Sequence, residues 1–206
     1  QPRKMLDRTI KAFTLFSQNK NDCVLLMHCD PTDQAAVFDI TSLIQRYKIQ
    51  NKVIFTGTNF FNPFGYKEMN NVYNLMDVFL LTTSGEGFGI PTIEAMACGV
   101  PQVLTDYTTS HELIIEDGQT GELVKLSGEK DFGPPTHCDE ILDGTITGSW
   151  EVERGIISIY DCAKVLDKLY NNKDLLKTYS KTGLQKVKKL YDWKVVIPMW
   201  KEFFKK

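Results

Sequence analysis

Two carboxylates eight residues apart, Glu86 and Glu94, are the groups of this chain best placed for chemistry. Between them runs Gly87-Phe88-Gly89-Ile90-Pro91-Thr92-Ile93. Glycines here let a ligand approach the backbone closely, and Pro91 suits the first turn of a helix, where its missing N–H costs nothing. The N–H groups of Phe88, Gly89 and Ile90 then open from the helix start, and with the helix dipole they form a site for an anion such as a diphosphate. Glu94 is expected in the first helical turn, where a carboxylate accepts a pair of hydroxyls. Glu86 lies in the loop ahead, nearer the reacting group. Taken singly, Glu94 reads equally well as a capping residue, Glu86 as a loop charge and the glycines as turns. Together they describe a pocket for an anionic, hydroxyl-rich ligand, and a nucleotide-sugar is the candidate.

The surrounding elements must hold that pocket at one edge of a sheet. Val78-Phe79-Leu80-Leu81 reads as a buried strand leading into it. Val24 to Met27, Val53 to Phe55, Val103-Leu104 and Glu122 to Leu126 are further strands, and helical patterns alternate with them. The helices fall around Leu6 to Phe16, Ala35 to Tyr47, Val72 to Met76, Glu112 to Ile114 and, in the tail, from about Ile159 onward. Apolar strands alternating with helices imply a parallel sheet covered on both faces, a Rossmann-like three-layer α/β/α arrangement. Ligands of such sheets bind beyond the carboxyl ends of the strands. One stretch, 127–155, is long, rich in Gly, Pro and charge, and without a period. It reads as a surface decoration in preference to a lid.

At 206 residues the chain fits a single domain, 1–206, with that insert. Its net charge of −2 gives no footprint for nucleic acid. No apolar run reaches the length of a membrane span, and no signal peptide is visible. The five cysteines show no C-x-x-C spacing, which favours reduced thiols over a zinc site or disulfide framework. Cytoplasmic placement is the expectation, with peripheral membrane association through a further domain. The chain starts at Gln1 and reads as a piece of something longer.

The run from Glu86-Gly-Phe-Gly to Glu94-Ala-Met-Ala-Cys-Gly-x-Pro resembles the Glu-x7-Glu signature of retaining GT-B glycosyltransferases of the group 1, glycogen-synthase-like family. Thr56-Gly57 resembles that family's Phe-x-Gly turn, and Asp77 to Leu80 its strand before the signature. Asp106 to Glu112 lies where the family has Asp-x-Gly-Gly-x-x-Glu; Thr108-Thr109 replaces the glycine pair and His111 stands where proline is common. Gly118-x-x-Gly121-x-Leu123-Val124 and Tyr191-x-Trp193 match later segments.

The resemblance implies one half of a GT-B fold, the C-terminal, donor-binding domain, with the N-terminal acceptor domain absent. It implies that Glu94 holds the donor ribose, that Glu86 contacts the transferring sugar, and that Gly87, Phe88, Gly89 and Ile90 offer backbone contacts. Lys4 aligns with a lysine that grips the diphosphate, with Met5 replacing the usual glycine; Arg3 is read only as its neighbour. Base recognition is expected at Gly57 and Thr58, while Phe60, Phe61 and Phe64 are expected to pack. The donor is a UDP-, GDP- or ADP-sugar, and no cofactor or metal is expected, since protein cations stabilise the leaving diphosphate. Catalytic roles fall to Glu86 and Lys4; His111 reads as an ordinary loop histidine. A non-catalytic nucleotide-sugar-binding module and a sugar-nucleotide epimerase are the alternatives.

Overall fold

The computed structural model describes residues 2–33, 39–59, 61–127, 138–142, 145–148 and 153–205. Helix α1 (Leu6–Phe16) leads to β1 (Leu25–Met27), α2 (Ile40–Arg46), β2 (Val53–Phe55), α3 (Tyr66–Asn74), β3 (Phe79–Leu81), α4 (Ile90–Ala97), β4 (Gln102–Thr105), α5 (Ser110–Ile114) and β5 (Gly121–Val124). Three strands of the insert follow, β6 (Cys138–Leu142), β7 (Thr145–Gly148) and β8 (Glu153–Gly155), then α6 (Ile159–Tyr170), α7 (Lys173–Lys186) and α8 (Trp193–Phe203). The expected helix from Ala35 forms as α2 from Ile40, and residues 34–38 lie outside the described ones.

β1 to β5 are all parallel to their neighbours, giving the Rossmann-like α/β fold. They do not hydrogen-bond as one sheet: β1 pairs with β2, and β3, β4 and β5 form a second set in that order. Helix α1 bridges the two sets. Its Ile10 and Phe13 pack with Leu25 and Met27 of β1 and with Ile40 and Ile44 of α2. Its Ala12 joins Val103, Val124 and, from α6, Cys162, Leu166 and Leu169. The apolar spacing of α1 thus serves two neighbours at once.

Alternation along β3 shows that helices cover both faces. Val78 and Leu80 face the α1–α6 side, whereas Phe79 packs with Tyr73 of α3, Ala95 of α4 and Val100. β4, the middle strand of its set, is buried at every position, and β2 leaves Ile54 54% exposed. Below the site, buried Lys186 of α7 donates to the carbonyls of Glu112 and Leu113 at 2.9 and 2.8 Å and to that of Glu116. It closes the C-terminal end of α5, whose last carbonyls have no helical partner.

Side chains choose several helix starts. Asp39, Ser158, Asn172 and Asp192 each accept a backbone N–H at the head of α2, α6, α7 and α8. Cys23, Cys29, Cys98 and Cys162 are free thiols, and burial pushes Cys162 up to about 12. No described helix is long and apolar enough to cross a membrane.

The insert departs from a surface decoration. Its neck is closed by Ser127 N–H to the Ile156 carbonyl at 2.7 Å and Ser158 N–H to the Lys125 carbonyl at 3.0 Å. Its return strand, β8, donates Gly155 N–H to the Ser84 carbonyl at 3.1 Å, which brings the strand onto the glycine-rich loop after β3. Gly155 permits this approach: a Cβ there would lie 2.6 Å from Cγ of Tyr107.

Candidate functional site

The segment Thr82-Thr83-Ser84 after β3 seats residues 3–5. Ser84 N–H donates to the Arg3 carbonyl at 2.7 Å, and the Ser84 and Thr83 hydroxyls donate to the same oxygen. The Thr82 hydroxyl reaches the Met5 carbonyl at 2.9 Å and shares a buried contact with Thr9 at 2.7 Å. Met5 sits at φ 48°, the left-handed region that a glycine adopts without strain.

This seating delivers two cations to one carboxylate. Glu86 Oε1 accepts Lys4 Nζ at 2.5 Å and pairs with Arg3 Nη1 at 2.8 Å, and the Glu86 side chain is only 10% exposed. Burial pushes its carboxyl up, but the hydrogen bonds and charges of Lys4 and Arg3 outweigh that and hold it below the usual carboxylate range. Arg3 is therefore a full partner in the cluster, not merely the residue before Lys4. Sequence reasoning misses this because Arg3 and Glu86 lie 83 positions apart; the three hydroxyl residues directly after an apolar strand are the available signal.

A cavity of about 290 Å³ opens here, lined by Arg3, Ser84, Gly85, Glu86, Gly87, Tyr107, Thr108 and Arg154. Thr108 holds φ at 53°, so the position that carries a glycine in the resembling family keeps a glycine-like backbone despite its β-branched side chain. Its Oγ1 accepts the Glu86 N–H at 3.1 Å, fixing the loop above the cavity. Tyr107, Thr108 and Arg154 were not among the expected site residues, and Arg154 comes from a stretch with no periodic pattern to read.

Helix α4 begins at Ile90 with Gly89 as its N-cap, at φ 85°. A Cβ on Gly89 would lie 2.8 Å from Leu113 Cδ1, so both backbone and space call for glycine. No acceptor among the described residues takes the N–H groups of Gly87, Phe88, Gly89 or Ile90. They remain open for an anion at the positive end of the helix. Phe88 and Ile90 are exposed, and Phe88 packs edge-on against Tyr191 at 6.1 Å.

Glu94 is the fifth residue of α4, past the first turn in which it was expected. It is not a cap: its Oε2 accepts the Tyr73 hydroxyl at 2.8 Å, and the carboxylate otherwise faces outward. Burial, then the Glu94 bond, raises the Tyr73 phenol, keeping it a donor throughout the ordinary pH range. Tyr73 was readable as a helical residue but not as the holder of Glu94.

The remaining expected residues divide. Gly57 follows β2 at φ 76°, and Thr58 is buried and donates to the Asn62 carbonyl at 3.1 Å, inside its own loop. Neither lines the cavity. Phe64 packs on His28, with ring centroids 5.5 Å apart, and Phe61 is 93% exposed. Phe60 and His137 lie outside the described residues. His111 is exposed on α5 and does not line the cavity. Among the described residues no three of His, Cys, Asp and Glu gather as a metal site.

The family described as "Glycosyl transferases group 1" matches residues 1–132. The chain is 29% identical over 113 residues to the O-antigen chain mannosyltransferase RfbU of Salmonella typhimurium, covering 55% of this chain and 29% of that protein. HepE from Anabaena, solved in complex with UDP-glucose, superposes with a TM-score of 0.72 at 17% identity, covering 100% of this chain and 46% of that one. The C-terminal domain of LpcC, a group 1 family glycosyltransferase from Francisella tularensis, superposes at 0.67 with 19% identity, covering 94% and 82%. The chain spans less than a third of the length of the first curated relatives it matches.

Proposed function

The chain belongs to the group 1 glycosyltransferases, and on that premise we propose that it is the nucleotide-sugar-binding half of a retaining hexosyltransferase. One observation carries the reading: the cavity lined by Arg3 and by Glu86, to which Lys4 is paired, adjoins the loop that opens into the unbonded N–H groups at the head of α4. That combination supplies positive potential for a diphosphate and a carboxylate for sugar hydroxyls. HepE, bound to UDP-glucose, shares the fold.

In this proposal the α4 N-terminus takes the diphosphate, Glu94, held by Tyr73, takes the ribose hydroxyls, and Glu86 meets the transferring sugar. As the C1–O bond to the diphosphate breaks, negative charge grows on the leaving oxygen. Lys4 and Arg3 stabilise it electrostatically, and the acceptor hydroxyl attacks from the face that the diphosphate leaves, its proton passing to the departing phosphate oxygen. The acceptor is bound by an N-terminal domain of the same protein. The chain's own cations and the positive end of α4 offset charge on the diphosphate, so the reaction runs without a divalent ion, and turnover of the whole protein is expected to survive EDTA.

The test is calorimetric titration of this domain with UDP-glucose, GDP-mannose and ADP-glucose, for wild type and Glu94→Ala. The expected result is weak binding of one donor class and its loss in the variant. Absence of binding by all three, or equal binding by Glu94→Ala, refutes the assignment.

A further inference from the structure

The strand β8 brings a cation into the cavity for which the site described so far has no use. Arg154 is half-buried and lines the cavity opposite none of its own kind of partner: among the described residues no carboxylate or carbonyl takes its guanidinium. Arg3 and Lys4, in contrast, both engage Glu86. The backbone that carries Arg154 pairs with Ile146 of β7 and is anchored again directly after it. Gly155, the next residue, is bonded to Ser84 and pressed on the Tyr107 ring, and the neck at Ser127–Ile156 fixes where the strand returns. The cation is thus positioned by a built attachment and not left on a loose loop.

A charge count says what it is for. Two cations on one carboxylate leave one positive charge beside the cavity, and Arg154 makes two. A guanidinium is the side chain whose planar donors fit an oxyanion in two-point fashion, and it stays charged at every working pH. We propose that Arg154 is a ligand-binding residue which the insert contributes to the pocket, where it grips an oxyanion of the bound donor. That oxyanion is either a diphosphate oxygen or a carboxylate on the transferred sugar, since both present the same acceptor pair to a guanidinium. The inference rests on the nucleotide-sugar reading above. It also gives the insert a function: the family match ends at residue 132, and the strand that completes the pocket lies beyond it.

The experiment is calorimetry on wild type, Arg154→Gln, Arg154→Lys and Glu94→Ala, using UDP, UDP-glucose, UDP-glucuronate, GDP-mannose and ADP-glucose, with thermal melts confirming that each variant folds. Binding about tenfold weaker in Arg154→Gln, the loss of one charge-assisted contact, is the expected result, with Arg154→Lys between the two. Equal losses for UDP and UDP-glucose assign the diphosphate. A loss confined to UDP-glucuronate assigns a sugar carboxylate. Unchanged binding of every probe by Arg154→Gln, while Glu94→Ala loses it, overturns this inference and leaves the nucleotide-sugar reading standing. Failure of wild type to bind any probe overturns both.

Discussion

Replacing Tyr73 by Phe isolates one hydrogen bond of the candidate site. The ring is buried, packs edge-on against Phe79 at 6.2 Å and shares a cluster with Ala95 and Val100, all of which Phe retains. Only the hydroxyl contact to Glu94 Oε2 at 2.8 Å is removed. A bond to an ionised group is worth about 1.5–3 kcal/mol. Glu94 is exposed, so water replaces much of that, and about 1 kcal/mol is the expected cost. For a chain of this size that lowers Tm by about 2–4 °C. If the same bond aims Glu94 at ribose hydroxyls, the donor Kd rises about fivefold by the same free energy. Differential scanning calorimetry and isothermal titration read the two effects separately, and a cycle with Glu94→Ala reads their coupling. A variant that melts lower yet binds the donor with unchanged Kd would refute Tyr73 as the residue that positions Glu94.

Three other perturbations follow from the geometry. Because the Glu86 carboxyl is held below its unfolded value, its stabilisation is complete above about pH 4.3 and is lost as pH falls through the folded value. The difference in unfolding free energy between wild type and Glu86→Gln should therefore stay constant near neutrality and shrink in acid; a difference that grows in acid contradicts the ion-pair account. Gly155→Ala places a Cβ 2.6 Å from the Tyr107 ring and should cost about 1–3 kcal/mol in urea unfolding, the price of overpacking. Lys186→Met removes the donor that the Glu112, Leu113 and Glu116 carbonyls share at and just past the end of α5, leaving only the Thr120 hydroxyl on Leu113; a loss of about 2–3 kcal/mol is expected, with the urea m-value unchanged.

The sequence was most legible where a local rule and the tertiary role agree. Val78 to Leu81 is apolar throughout because β3 packs helices on both faces, and Gly89-Ile90-Pro91 marks a helix start because each residue suits its own backbone position. Glu86 stood out through its glycine neighbours. The sequence places Glu94 in the first turn of that helix, and the structure places it one position later, as the fifth residue of α4. The division into a pair and a triplet of strands was not readable, because hydrogen-bond partners are set by packing beneath α1 and not by any local pattern. Arg3 and Arg154 were missed for a related reason. Each becomes a site residue only through contacts with distant segments, and β8 lies in a stretch whose composition resembles a loop.

The contact between residues 3–5 and the segment after β3 has a kinetic consequence. Its hydrogen bonds join residues 77 to 82 apart, and the Gly155–Ser84 bond closes a second long loop onto the same point. Contacts of that range form only after the chain entropy of closing the intervening loops has been lost. The pocket should therefore be among the last parts of the domain to assemble, after the β3–β4–β5 set and its covering helices. A ligand that recognises the assembled pocket then draws the whole equilibrium toward the native state by mass action. Refolding rate and donor affinity become two readings of one long-range closure.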